Sequence, residues 1–148
     1  MLVSFNENEI HTTVPLITEY DAFHFIFDFY EPNLLITDFD DPGVDLASKI
    51  VNHYKDVSKN FGFEVKPDEY FVNGMGYQFL MMRQMEKAGG LFKLNVSLYP
   101  ESANVYDSLG DFYSANGEKE SAIESYKKAL NLANTDYTRA KLEQLQKE

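Results

Sequence analysis

Residues 67–100 read PDEYFVNGMGYQFLMMRQMEKAGGLFKLNVSLYP, and residues 101–134 read ESANVYDSLGDFYSANGEKESAIESYKKALNLAN. Laid over each other at an offset of 34 residues, they agree at chemically demanding positions. Met75-Gly76 falls on Leu109-Gly110, Phe79 on Tyr113, Ala88 on Ala122 and Phe92 on Tyr126; Tyr106 adds a large residue three places before Leu109, and Pro100 closes the first unit. Small residues at fixed places let two helices approach, and aromatics fill the remaining space. A helical hairpin repeated twice needs this alternation: Gly76 and Gly110 thin the first helix of each pair, while Ala88, Ala122 and Ala129 thin the second. A generic bundle would have to reach the same agreements by accident.

The order of a bulky residue, Leu-Gly, an aromatic, Ala-x3-aromatic and a late Pro resembles the tetratricopeptide (TPR) repeat. The resemblance implies an all-α fold of stacked hairpins whose first helices line a concave peptide groove. By repeat alignment the groove candidates are Tyr70, Asn73, Tyr77, Leu80 and Met81 in the first repeat, with Asn104, Asp107, Asp111, Ser114 and Ala115 in the second. None of these is basic, so an acidic peptide end is disfavoured and a basic or apolar segment fits better.

Punctuation sets the boundaries. Pro67-Asp68 opens the first repeat, Pro100 with Glu101-Ser102 opens the second, and Asn116-Gly117 makes a turn inside it. Gly89-Gly90 within a helix reads as local looseness, with a close approach of another backbone as the alternative, and Asn95 stands where the second repeat has Ala129. Ala47, Ile50, Val51, Tyr54, Val57 and Phe61 recur at helical spacing from about Val44 to Asn60, started by Asp41-Pro42 and stopped by Gly62. This helix is expected to cap the first repeat. Asp136 to Glu148, with Tyr137, Ala140, Leu142 and Leu145 as its apolar positions, reads as the solvating helix that ends an array. The expected organisation is a separate segment over 1–36, linker and capping helix over 37–66, two repeats over 67–134 and the solvating helix over 135–148.

A formal charge of −11 would repel phosphate backbones and anionic membrane faces, which argues against a nucleic-acid partner. With no cysteine there is no disulfide framework, thiolate nucleophile or Cys-based zinc site. Met1 to Glu9 lack a basic n-region and a long apolar core, and no stretch approaches the roughly 20 apolar residues of a membrane span. A soluble chain without cofactor or metal is expected.

The first 40 residues differ in texture. Leu16, Tyr20, Phe23, Phe27 and Tyr30 make one stripe, yet Phe25, Ile26 and Phe29 lie off it, so a helix from about Thr18 to Tyr30 would be apolar nearly all round and must be covered. Residues 14–36 are therefore expected to pair with the same segment of a second copy or to swap onto that copy's repeats, with docking of this segment into the chain's own groove as the rival.

The run Glu7-Asn8-Glu9-Ile10-His11-Thr12-Thr13-Val14-Pro15-Leu16, followed by Glu19-Tyr20-Asp21-Ala22-Phe23-His24-Phe25-Ile26-Phe27, resembles the end of the α/β-hydrolase domain in a bacterial esterase family related to the siderophore esterases. Some members of that family carry TPR-bearing tails, to which Leu91–Asn95 and Ala103–Gly110 are also similar. The resemblance implies that His11 matches the catalytic histidine of a serine triad. The chain lacks the Gly-x-Ser-x-Gly elbow, and Thr12-Thr13 departs from the family pattern. His11 is thus expected to be an ancestral base without its nucleophile, in a chain that is not itself an enzyme.

Two further motifs fail on spacing. Asp38-Phe39-Asp40-Asp41-Pro42-Gly43 alternates carboxylates before a Gly, but Pro42 occupies the fifth place and Lys49 the twelfth, where a calcium loop needs Glu. It reads instead as a solvated linker that caps the next helix. Gly74-Met75-Gly76 lacks the third Gly or Lys-Ser/Thr of a phosphate loop, and His24 and His53 have no ligand-like neighbours in sequence.

Overall fold

The computed structural model describes Tyr30, Pro32 and residues 34–147. The chain divides between Asn33 and Leu34, and the helical array belongs to the second part. His11, His24 and the apolar segment from Thr18 lie outside the described residues, as does nearly all of the segment 14–36.

Seven helices follow one another without a strand among the described residues: α1 (Ile36–Asp40), α2 (Leu46–Phe61), α3 (Glu69–Met81), α4 (Met85–Leu98), α5 (Ala103–Ala115), α6 (Lys119–Leu132) and α7 (Asp136–Lys147). The fold is all-α and TPR-like. Local chemistry sets both ends of α2 and the start of α3. The Asp45 carboxylate accepts the Ser48 amide at 3.0 Å to start α2, and Gly62, at φ 74°, ends it in the left-handed region. Asp68, just after Pro67, accepts the Phe71 amide at 2.9 Å and starts α3. The cap of α2 is thus Asp45 rather than Asp41, whose carboxylate turns back onto the Gly43 amide at 2.8 Å.

Helices α3 and α4 form the first hairpin, and α5 and α6 the second. A Cβ built on Gly76 would lie 2.8 Å from the Phe92 ring, and one on Gly110 would lie 2.5 Å from the Tyr126 ring. Each glycine therefore makes room for the aromatic of its partner helix. Ala88, Ala122 and Ala129 are buried opposite them. The end of α4 is tied to the start of α3 as well: Asn95 Nδ2 donates to the Glu69 carbonyl at 3.0 Å, and the Tyr99 hydroxyl donates to the Pro67 carbonyl at 2.8 Å. Asn95, placed where an Ala would pack more simply, contributes a tether.

Gly89 corrects the looser reading of its helix. It is buried, and a Cβ there would meet the Phe112 ring at 2.6 Å, so the close approach is real but comes from an aromatic side chain of α5. Gly90 has ordinary contact with Ala47 at 3.7 Å. The main core runs from Leu46 and Ile50 through Val72, Phe79, Leu91 and Phe92 to Leu109 and Phe112; a smaller cluster holds Ala122, Tyr126 and Leu145. Full burial of each large side chain stabilises by about 1.5–3 kcal/mol, so the first repeat, packed on both sides, is the centre of mass of the stabilisation.

Helix α2 packs on α4, as a cap should. The stretch before it is not a solvated linker. Asp38 is 5% exposed and pairs with Lys49 at 2.6 Å, while Phe39 stacks on Phe79 with ring centroids 5.7 Å apart. Lys87, buried at the start of α4, donates to the carbonyls of Asp38 and Phe39 at 3.0 and 2.7 Å. Carbonyls left over at the end of α1 attract this cation, which fastens α1 to the first repeat.

Candidate interaction site

The first helices of successive hairpins place residues 34 apart in sequence beside one another, and α7 continues that series. Asn73, Asp107 and Lys141 hold one such row; Tyr77, Asp111 and Leu145 hold the next. Hydrogen bonds connect the rows. The Tyr77 hydroxyl donates to Asp111 Oδ2 at 2.7 Å, and the Tyr126 hydroxyl, arriving from α6, donates to Asp111 Oδ1 at 2.8 Å. Lys141 Nζ donates to Asp107 Oδ2 at 2.6 Å and to Asp111 Oδ2 at 2.7 Å. The same ammonium lies 4.2 Å from the centroid of Tyr137, a cation–π distance.

The electrostatics follow from burial and from the carboxylates. Burial, then the hydrogen bond to Asp111, pushes both the Tyr77 and Tyr126 hydroxyls well above the usual tyrosine range. For Lys141 burial acts to lower the pKa, but hydrogen bonds and attraction from Asp107 and Asp111 outweigh it and hold the ammonium above its ordinary value. Asp111 thus accepts three donors. A partner cation would have to displace one of them.

Among the other groove candidates, Tyr70 and Met81 stand out in solvent at 74% and 79% exposure, while Asn73 and Leu80 are half-buried. Asn104 is exposed and donates to Glu69 Oε1 at 2.9 Å, an atom that also accepts from Ser102 at 2.9 Å. Ser114 and Ala115 are exposed. Of the residues assigned to repeat packing, Gly76, Phe79, Ala88, Phe92, Leu109, Gly110, Ala122, Tyr126 and Ala129 are buried; Tyr106 and Tyr113 are half-buried, and Pro100 is exposed before α5. His53 lies on α2 with its ring edge-on to Tyr54.

None of the ten groove candidates is basic, but Lys141, from outside the two repeats, brings an ammonium onto Asp107 and Asp111. Its signal was available: Lys141 follows Asp107 by 34 residues, so one more step of the same offset places it on a third first-type helix. In α7, Thr138 and Leu145 are buried, whereas Tyr137 and Ala140 are exposed.

Residues 103–136 match the tetratricopeptide repeat family. No curated protein matches the chain. The chain therefore carries a TPR, a repeat that generally mediates contacts between proteins rather than catalysis. No helix among the described residues is long and apolar enough to cross a membrane.

Proposed function

We propose that this chain is a non-catalytic protein-interaction module that holds an apolar segment of another protein against the groove side of α3. The observation that carries the reading is the saturation of Asp111 by Tyr77, Tyr126 and Lys141. Sequence alone leaves a basic or an apolar ligand open. Asp111 already accepts three donors, while Asp107 Oδ1 and Asn73 Oδ1 are buried without a hydrogen-bond partner and leave room for one donor of a ligand; the exposed recognition groups are Tyr70 and Met81, with Leu80 half-buried beside them. Apolar anchors of this kind release water on contact and dominate binding energy where they are central.

The same reading includes an origin in the C-terminal, TPR-bearing region of an esterase-like serine hydrolase, with residues 1–36 as the remnant of the hydrolase domain and His11 as its former base. The run from Glu7 to Phe27 supports this. A serine-hydrolase domain encoded directly upstream of Met1 is the expected finding; its absence favours a free-standing TPR adaptor. Homodimerisation belongs to the proposal too.

A fluorescein-labelled amphipathic peptide with Leu and Phe on one face, titrated against the full chain, should bind better than a lysine-rich peptide of equal length. Tyr70→Ala combined with Met81→Ala should weaken it about tenfold, the effect of losing about 1.4 kcal/mol. Preference for the lysine-rich peptide overturns the apolar assignment. For the catalytic half, p-nitrophenyl esters should be hydrolysed no faster than by free imidazole. Saturable turnover abolished by His11→Ala would show an enzyme instead.

A further inference from the structure

The two repeats use one helix stripe differently. In α5, Val105, Ser108 and Phe112 are 0%, 1% and 4% exposed, because this stripe stacks on the preceding hairpin and Phe112 lies over Gly89. The residues 34 places earlier in α3 are Phe71, Gly74 and Gln78, and one turn further stands Met82. All four are exposed. No complete hairpin precedes them among the described residues: α2 packs on α4, and α1, only 5 residues long, reaches α3 through Phe39 on Phe79. Among the described residues, helix α3 thus presents a repeat-stacking stripe with no repeat on it.

We propose that this stripe is a self-association surface, on which α3 of a second copy packs antiparallel about a two-fold axis. Three observations select a second copy. The exposed side of α3, from Tyr70 and Phe71 through Gly74 and Gln78 to Met81 and Met82, carries no charge on a chain of net charge −11, so two copies meet there with the least repulsion. Its ends are complementary under two-fold rotation, since aromatics occupy one end and methionines the other; antiparallel pairing sets Phe71 against the partner's Met81, a favourable sulfur–aromatic combination. Between them Gly74 faces the partner's Gln78. A Cβ on Gly74 would meet nothing within 4 Å, so the helix is narrowest and unobstructed at the crossing point.

The surface is small. A standard stable interface engages about 800 Å² and 20–30 residues per partner, far more than one stripe of a 13-residue helix. The dimer is accordingly weak, with a dissociation constant on the order of 10–1000 μM. Because no ion pair holds it and like charge opposes it, added salt strengthens it. The proposal rests on the repeat stacking and is independent of the hydrolase origin; because it shares Tyr70 and Met81 with peptide capture, a bound peptide and a second copy compete for α3.

Sedimentation of the full chain from about 1 to 500 μM tests it, at low and high salt. The expected result is concentration-dependent dimerisation, stronger in salt, and weakened at least about tenfold by Gly74→Lys at unchanged helicity. As the chain has no cysteine, a mixture of Gly74→Cys and Gln78→Cys chains should form a disulfide dimer on mild oxidation faster than either chain alone. A chain monomeric throughout overturns the proposal and leaves the stripe to another protein or to the chain's own upstream residues. A dimer indifferent to Gly74→Lys, with no preferential cross-link, also overturns it and returns self-association to residues 14–36. Peptide titration of the unsubstituted chain at about 1 μM, below the dissociation constant of the dimer, reports on peptide capture separately.

Discussion

The two hairpins differ least where their helices face each other and most where they face their neighbours. Inside each hairpin a glycine sits under an aromatic, Gly76 under Phe92 and Gly110 under Tyr126. Outside, equivalent positions carry unlike residues: Gly89 against Ile123 and Tyr77 against Asp111. The first hairpin is covered by α2 on one side and α5 on the other, whereas the second has α4 of the first hairpin on one side and the short, polar α7 on the other. A repeat sequence therefore encodes two things at once, a hairpin that is the same each time and an interface that depends on what comes before and after.

The shared half of that comparison breaks most visibly at Gly110. Leucine there would drive its Cβ toward ring carbons of Tyr126 now 2.5 Å from that point, and displacing the ring also breaks the Tyr126 bond to Asp111. We expect Gly110→Leu to lose about 3 kcal/mol, the upper part of the overpacking range. Thermal unfolding of the full chain measures it. Unchanged stability would mean that the second hairpin is not held by this contact.

At the second repeat's outer side, Lys141→Met should destabilise by about 2 kcal/mol, since it leaves Asp107 and Asp111 half-buried without their cation. The pH dependence has a definite sign. A lysine whose pKa is raised on folding contributes stability fully below its ordinary value of 10.5 and loses it as pH climbs through the higher folded value. The intact chain should thus show an added loss of stability above about pH 10.5 that Lys141→Met lacks. Parallel alkaline curves for the two chains would assign Lys141 to solvent.

What was legible in the sequence divides along the same line. Gly76/Gly110 and Phe92/Tyr126 could be read because the hairpin interior recurs at one offset, and the all-α fold came with them. Interfaces between unlike neighbours do not recur, so Gly89 under Phe112 was illegible, as was the anchoring of α1 by Lys87 and Asp38. A long cation can reach acceptors far away in sequence, 49 residues from Lys87 to the Asp38 carbonyl, and no local pattern announces such a reach, whereas the 34-residue step from Asp107 to Lys141 follows the repeat. The groove was half legible: repeat alignment named Asp107 and Asp111, while their cation lay beyond the last repeat.

Two glycines sharpen the interface half. Gly89→Ala gains about 1 kcal/mol of helix propensity but forces Phe112 aside, so a net loss of about 1–2 kcal/mol is expected. Gly74→Ala, with open space around its new methyl, keeps the propensity and should gain about 0.5–1 kcal/mol. Opposite signs at two glycines of one repeat would establish which of them packs against another helix of the same chain. If both substitutions stabilise the chain, Phe112 does not depend on the room at Gly89.

The smallest effect lies in the turns between paired helices, where the second repeat has Gly117 at φ 79° and the first has Arg83 at φ 57°. Both turns close with the same bonds, the amide of Gln84 donating to the Phe79 carbonyl and that of Glu118 to the Tyr113 carbonyl, at 2.9 and 2.8 Å. The left-handed conformation is therefore required in each, and only one repeat meets it with a residue that lacks a Cβ. An L-residue held there costs roughly 1–2 kcal/mol. Glycine removes that strain and gives back part of the gain through its freer unfolded chain. The net expectation for Arg83→Gly is a stabilisation of about 0.5–1 kcal/mol, and Gly117→Arg should lose a similar amount, both read from denaturant midpoints at constant slope. If Arg83→Gly instead destabilises, the exposed arginine is held by something stronger than the strain it bears, and the turn of the first repeat joins its interfaces as a place where the two hairpins were built for different neighbours.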